Sequence, residues 1–174
     1  MEENKMRQIN NNKYLREFVF SSAEEASTFF NNQTTEKKLS LEDTFGDNYY
    51  CYVCYDSLTK EVEFILSFSS DTSEDNLFFL FWENRLILDT GTTIYLIDKN
   101  LNIKSSLEIT TPLVGLHSIN KDRLLILEEA YLRIIDSNGN IIKAELFDLL
   151  EDFSIKNNVL SIQTCEESRI IELI

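Results

Sequence analysis

Catalysis and metal binding need donors that converge, and this sequence offers few candidates. Cys51-Tyr52-Val53-Cys54 is a lone C-x-x-C. A tetrahedral zinc site needs four ligands, and beyond this pair only Cys165 and the single histidine, His117, remain. In a redox C-x-x-C the first thiol sits at a helix start, where its thiolate is stabilised. Here the pair lies in a run of β-formers, and a separation of three points the two thiols to opposite faces of a strand. Both are expected to be packing or surface residues. His117 sits in the strand-like Leu116-His117-Ser118-Ile119, and its neighbour Ser118 faces away from it, so the two form no relay. Gly91, Gly115 and Gly139 are isolated, which leaves no phosphate-cradling loop. Asp136-Ser137-Asn138-Gly139-Asn140 has the look of a calcium loop but lacks the downstream glutamate and the flanking helices. Its Asn-Gly step suits a turn between strands. No catalytic residue, cofactor or metal site is expected.

Charge narrows the partners. Thirty carboxylates stand against 16 Lys and Arg, a formal net charge of −14. Such a field repels phosphate backbones, whose binding depends on cations, and it disfavours an anionic membrane. It would speed encounter with a basic protein, and it also serves solubility. The start, MEENKMRQINNN, carries no apolar secretory core, and the longest apolar run, Leu77–Trp82, is far short of a span. A cytoplasmic location with reduced thiols is the expectation.

A length of 174 residues suits a single domain, 1–174, with enough apolar content for a core. Residues 1–47 read as a strand, helix and loop segment, and 48–174 as β repeats. The polar start, 1–13, is expected to fray. A strand follows over Tyr14–Phe20. Ser22-Ala23-Glu24-Glu25 is a capping-box signature for a helix that Phe29 and Phe30 make apolar on one side and Asn31–Thr35 ends. Residues 33–47 read as loop. Tyr49–Tyr55 and Val62–Phe68 then form a hairpin, and Phe78–Trp82 a further strand.

The second half repeats. A shift of 38 residues lays Arg85-Leu86-Ile87-Leu88 on Arg123-Leu124-Leu125-Ile126, and Ile94–Asn100 on Leu132–Asn138. A further shift of 36 lays Leu124 and Ile126 on Leu160 and Ile162, and Arg133-Ile134-Ile135-Asp136 on Arg169-Ile170-Ile171-Glu172. Period and order resemble the four-stranded antiparallel blade of a β-propeller. The resemblance covers about residues 77–174 and carries no Trp-Asp or Gly-His signature. So few units cannot close an ordinary ring. The expected fold is mainly β: antiparallel blade-like repeats, as an open half-propeller or twisted meander, with one short N-terminal helix. An antiparallel sandwich or barrel is the rival. The N-terminal segment is expected to cover one edge.

In a blade the turns alternate between two ends. Asp89, Glu128, Glu129, Glu166 and Glu167, with Asp148, Glu151 and Asp152 of a crossover, fall at one end. Arg85, Lys99, Lys104, Lys121, Arg123, Lys143 and Lys156 fall at or near the other. The eight carboxylates form the expected partner-binding face.

By its profile the chain resembles the immunity proteins of bacterial toxin systems, including contact-dependent inhibition, with no diagnostic motif to carry residues across. That resemblance implies tight association with a basic toxin domain, such as a nuclease, whose active site the acidic face would occlude. The alternative is a non-catalytic interaction scaffold or a subunit of a larger assembly. An enzyme working by carboxylates alone is a third reading.

Overall fold

The computed structural model describes residues 6–10, 12–73 and 76–173. Among the described residues, sixteen strands pair into four sheets in series, and there is one helix. The first has the order β1 (Met6–Asn10), β2 (Lys13–Phe20), β4 (Asn48–Asp56), β5 (Val62–Ser70), β3 (Lys38–Ser40). Within it β3 runs parallel to β5 and the other pairs are antiparallel. The second sheet is the meander β6 (Phe79–Trp82), β7 (Arg85–Asp89), β8 (Thr93–Asp98), β9 (Ile103–Glu108). The third repeats it with β10 (Leu113–Asn120), β11 (Arg123–Glu128), β12 (Tyr131–Asp136) and β13 (Ile141–Leu146). The fourth holds β14 (Leu150–Lys156), β15 (Val159–Thr164) and β16 (Ser168–Glu172). Each repeat shift read from the sequence superimposes like strands: β7 on β11 on β15, and β8 on β12 on β16.

Three apolar layers join the sheets, and they explain the near-continuous hydrophobic runs of the middle strands. A strand buried on both faces loses the usual polar alternation. Along β7, Leu86 and Leu88 pack towards the first sheet while Ile87 packs towards the third. Along β11, Leu124 and Ile126 face the second sheet, and Leu125 and Leu127 the fourth. An aromatic group of Tyr50, Tyr52, Phe68 and Phe79 fills the first layer, with Tyr50 and Phe68 stacked at 5.1 Å.

The two outer faces of this stack are finished differently. Helix α1 (Ala23–Asn32) lies on the first sheet, placing Ala26, Phe29 and Phe30 over Phe18, Phe20, Cys51, Val53 and Ile65. Ser22 caps the helix by accepting from the Glu25 N–H at 3.3 Å, as the capping signature predicts. At the other extreme the fourth sheet turns Ser161, Gln163, Ser168 and Ile170 outward, all exposed. Their counterparts one repeat earlier are Leu125, Leu127, Leu132 and Ile134, all buried.

Aspartates shape the turns at one end. Asp98 Oδ1 accepts from the N–H groups of Asn100 and Asn102 at 2.8 and 2.9 Å, and Asp136 Oδ1 accepts from Asn138 and Asn140 at the same distances. The calcium-like segment is thus the β12–β13 turn, its carboxylate consumed by its own backbone. Gly139 supplies the left-handed step at φ +86, and a Cβ there would lie 2.4 Å from Ser105 Cβ. Two strands depart from the sequence reading. β1 occupies part of the segment expected to fray, and β3 lies inside the expected 33–47 loop. Residues 1–5 and 11 of the polar start lie outside the described residues.

Candidate functional site

At the end where the sheets connect, two of the eight expected carboxylates are structural. Glu128 is fully buried and ion-paired with Arg133, itself only 5% exposed. Its other oxygen accepts from the backbone N–H groups of Thr110 and Thr111 at 2.6 and 3.0 Å, while Arg133 Nη1 donates to the Glu108 carbonyl at 2.7 Å. The pair thereby clamps the crossover between the second and third sheets onto the β11–β12 turn. Asp89 does the same one repeat earlier. It is 1% exposed and accepts from Gly91 N–H at 2.8 Å and Phe78 N–H at 3.4 Å. Burial pushes its carboxyl up to about 6, and the two N–H bonds only partly oppose that. This corrects their placement: both, expected on the exposed partner-binding face, are buried in the folded chain and bonded to backbone N–H groups instead. The reason is strand periodicity: Glu128 follows Leu124 and Ile126 at steps of two on an inward face, and Asp89 aligns with the buried Leu127.

The remaining six carboxylates do gather. The Glu129 carbonyl accepts from Leu150 N–H at 2.8 Å, and Leu150 pairs with Thr164, which sets Asp148 of the crossover and Glu151 and Asp152 at the start of β14 beside the β15–β16 turn carrying Glu166 and Glu167. Thr164 Oγ1 holds that turn by accepting from Glu166 N–H and Glu167 N–H at 3.3 and 3.1 Å. Asp148, Glu151, Asp152, Glu166 and Glu167 are exposed and Glu129 is half-buried. Arg169 is ion-paired with Glu167, and it also donates to the Leu146 carbonyl at 3.2 Å.

Next to this patch a cleft of about 940 Å³ opens between the crossovers, lined among others by Asp71, Asp89, Thr92, Thr110, Pro112 and Glu129. Gly91 lies at the wall of the cleft against Ser70 and Thr72. With φ +86 and a would-be Cβ 2.2 Å from Thr72 Oγ1, only glycine fits there.

The thiols behave as their spacing predicts. Cys51 packs under the helix and Cys54 in the layer against the second sheet. Burial raises them to about 11 and about 12, so both are neutral thiols at physiological pH. Cys165 is exposed, and all three cysteines are free. His117 and Ser118 lie exposed on β10, where Ser118 Oγ donates to the Asn120 carbonyl at 3.2 Å. Among the described residues no three His, Cys, Asp or Glu side chains come together as a metal-binding set, and no helix is long and apolar enough to cross a membrane.

No family model matches the sequence, and no curated protein matches it. Solved structures do match in shape. BamB from Moraxella catarrhalis superimposes with a TM-score of 0.56 at 12% identity, over 77% of this chain and 48% of that one. BBS1N in complex with ARL6DN gives 0.50 at 6% identity, over 70% of this chain and 45% of that one. The fold is an open run of β-propeller-like blades. This chain spans about half the length of those structures, and at such identities the likeness carries the fold alone.

In blade terms, β7, β11 and β15 are second strands and β8, β12 and β16 third strands. Arg133, the structural partner of Glu128, is a residue that the sequence reading missed. A charged residue in the middle of Leu132-Arg133-Ile134-Ile135, on a strand whose other central residues are buried, signals a paired partner inside the fold, and Glu128 is that partner.

Proposed function

We propose that this chain is a non-catalytic protein-interaction module that receives a basic partner on its acidic crossover end. The observation that carries this reading is the gathering of Asp148, Glu151, Asp152, Glu166 and Glu167, exposed and side by side, at the end opposite the turns holding Lys99, Lys121 and Lys156. Carboxylates on a rigid sheet end steer a cationic protein and fix its orientation. The blade-like fold suits such a role, and BBS1N, one of the similar structures, is in complex with ARL6DN. Three free cysteines fit a reducing, cytoplasmic setting.

A narrower form of the reading is an immunity-type inhibitor that covers the active site of a basic toxin domain. What supports it is the acidic end together with the net charge of −14. The test is affinity capture from the source organism with the wild-type chain and with the variant Glu151→Gln/Asp152→Asn/Glu166→Gln/Glu167→Gln. A basic protein retained by the wild type at low salt and lost by the variant supports the module reading. An identical set of captured proteins for both chains refutes the acidic-end interface. For the narrower reading, the captured protein's own activity must fall when one equivalent of this chain is added. A captured protein unaffected by the chain leaves the scaffold reading and removes the inhibitor.

A further inference from the structure

At the end opposite the crossovers, a recess of about 390 Å³ lies between the second and third blades, and its lining is almost wholly made of hydrogen-bond donors. Arg85, Lys99 and Lys104 contribute three cations. Asn84, Asn100 and Asn138 add amides, and Ser137 a hydroxyl. The one carboxylate in the lining, Asp98, is already occupied. It accepts from Asn100 and Asn102 N–H at 2.8 and 2.9 Å, from Asn102 Nδ2 at 3.2 Å, and from Lys104 Nζ at 3.1 Å. Those bonds, the Asn102 N–H foremost, hold its carboxyl far below the usual range, so it stays an anion that no ligand needs to neutralise. Arg85 is preorganised: its guanidinium lies 5.4 Å from the Trp82 ring centroid, and that buried indole is anchored by donating to the Asn120 carbonyl at 2.8 Å.

From this arrangement we infer that the recess is an oxyanion site for a phosphoryl group. Three cations against one carboxylate leave two positive charges in excess, which matches a phosphate dianion. A planar guanidinium with neighbouring ammonium and amide donors matches its tetrahedral oxygens. In a chain of net charge −14, a recess holding three cations and a single, internally bonded carboxylate favours the approach of an anion. The site is separate from the acidic end and stands whether or not that end binds a protein.

Amide-resolved NMR titration of the whole chain tests it, at fixed ionic strength, with inorganic phosphate and O-phosphoserine as probes and chloride as control. Saturable shifts at Asn84, Lys99, Asn100 and Asn138 are expected with either probe, and tighter binding of O-phosphoserine would assign the group to an ester rather than to free phosphate. Arg85→Gln should weaken binding roughly tenfold, the loss of one charge-assisted contact. Lys99→Gln, in an exposed turn that leaves folding alone, should weaken it severalfold. Unsaturable shifts, shifts equal to those from chloride, or unchanged affinity in Lys99→Gln would overturn the assignment.

Discussion

Replacing Glu128 by alanine separates a structural carboxylate from an interface carboxylate. In the folded chain Glu128 neutralises Arg133 and accepts two backbone N–H bonds from Thr110 and Thr111. Alanine would leave a guanidinium that is 5% exposed without its counter-charge and two N–H groups without an acceptor. Breaking a buried pair from one side costs roughly 3–5 kcal/mol. A chain of this size has a total stability of about 5–15 kcal/mol and a urea slope near 2 kcal/mol/M, so the midpoint should fall by roughly 2 M. Urea denaturation followed by tryptophan fluorescence would read it, because Trp82 is buried in the layer between the second and third sheets. Glu128→Gln should cost less, since its amide oxygen still accepts from both N–H groups, which share one carboxylate oxygen, while the charge facing Arg133 is lost. The control is Glu166→Ala/Glu167→Ala, which touches only exposed side chains and should stay within about 0.5 kcal/mol per substitution. A loss below about 1 kcal/mol for Glu128→Ala would refute the clamp, and with it the reason for removing Glu128 from the binding face.

Asp89 gives a pH dependence of definite sign. Its folded carboxyl, pushed up to about 6 from 3.8, binds a proton more tightly than in the unfolded chain, so its contribution is most favourable below about pH 4 and is lost as pH rises to 6. Between those limits Asp89→Asn should remove up to roughly 3 kcal/mol of wild-type slope, read by denaturation midpoints across pH 4–7. Equal slopes in the two proteins would contradict it. Gly139→Ala should destabilise by roughly 1–2 kcal/mol, because φ +86 is strained for alanine and its Cβ would meet Ser105; a thermal melt checks this.

The sequence made the repeat legible because β7, β8, β11 and β12 are buried on both faces and β15 and β16 on one, so apolar identity recurs at a fixed spacing. Helix α1 was legible through Ser22 and the Phe29–Phe30 pair. Two strands were not. β1, MRQIN, joins the sheet by backbone bonds to β2 and shows no apolar alternation, and β3 is three residues long, too short for any period. The acidic end was legible as a chain-order pattern of turns. Whether a turn carboxylate points inward depends on its register relative to the last core residue, which a turn-level reading ignores. Glu128 and Glu129 are neighbours with opposite fates for that reason alone.

The polar outer face of the fourth sheet bears on what this array can join. Leu125 and Leu127, which cement the third sheet to the fourth, are replaced at the next repeat by Ser161 and Gln163. Gln163 accepts from Ser168 Oγ and donates to the Thr164 carbonyl at 2.9 Å, so the face satisfies its own polar groups. A repeat that meets water on its outer side stays soluble when that side is polar. A further blade packed there would desolvate those groups and gain only Ile170, which is 77% exposed. Partners are therefore expected at the turn-bearing ends and not on this face. Restoring the apolar pattern with Ser161→Leu/Gln163→Leu should make the face adhesive, turning a single sedimenting species into a concentration-dependent self-association in analytical ultracentrifugation. If the double variant sediments as the wild type does, polarity is not what keeps this face from associating, and the face regains its standing as a docking surface.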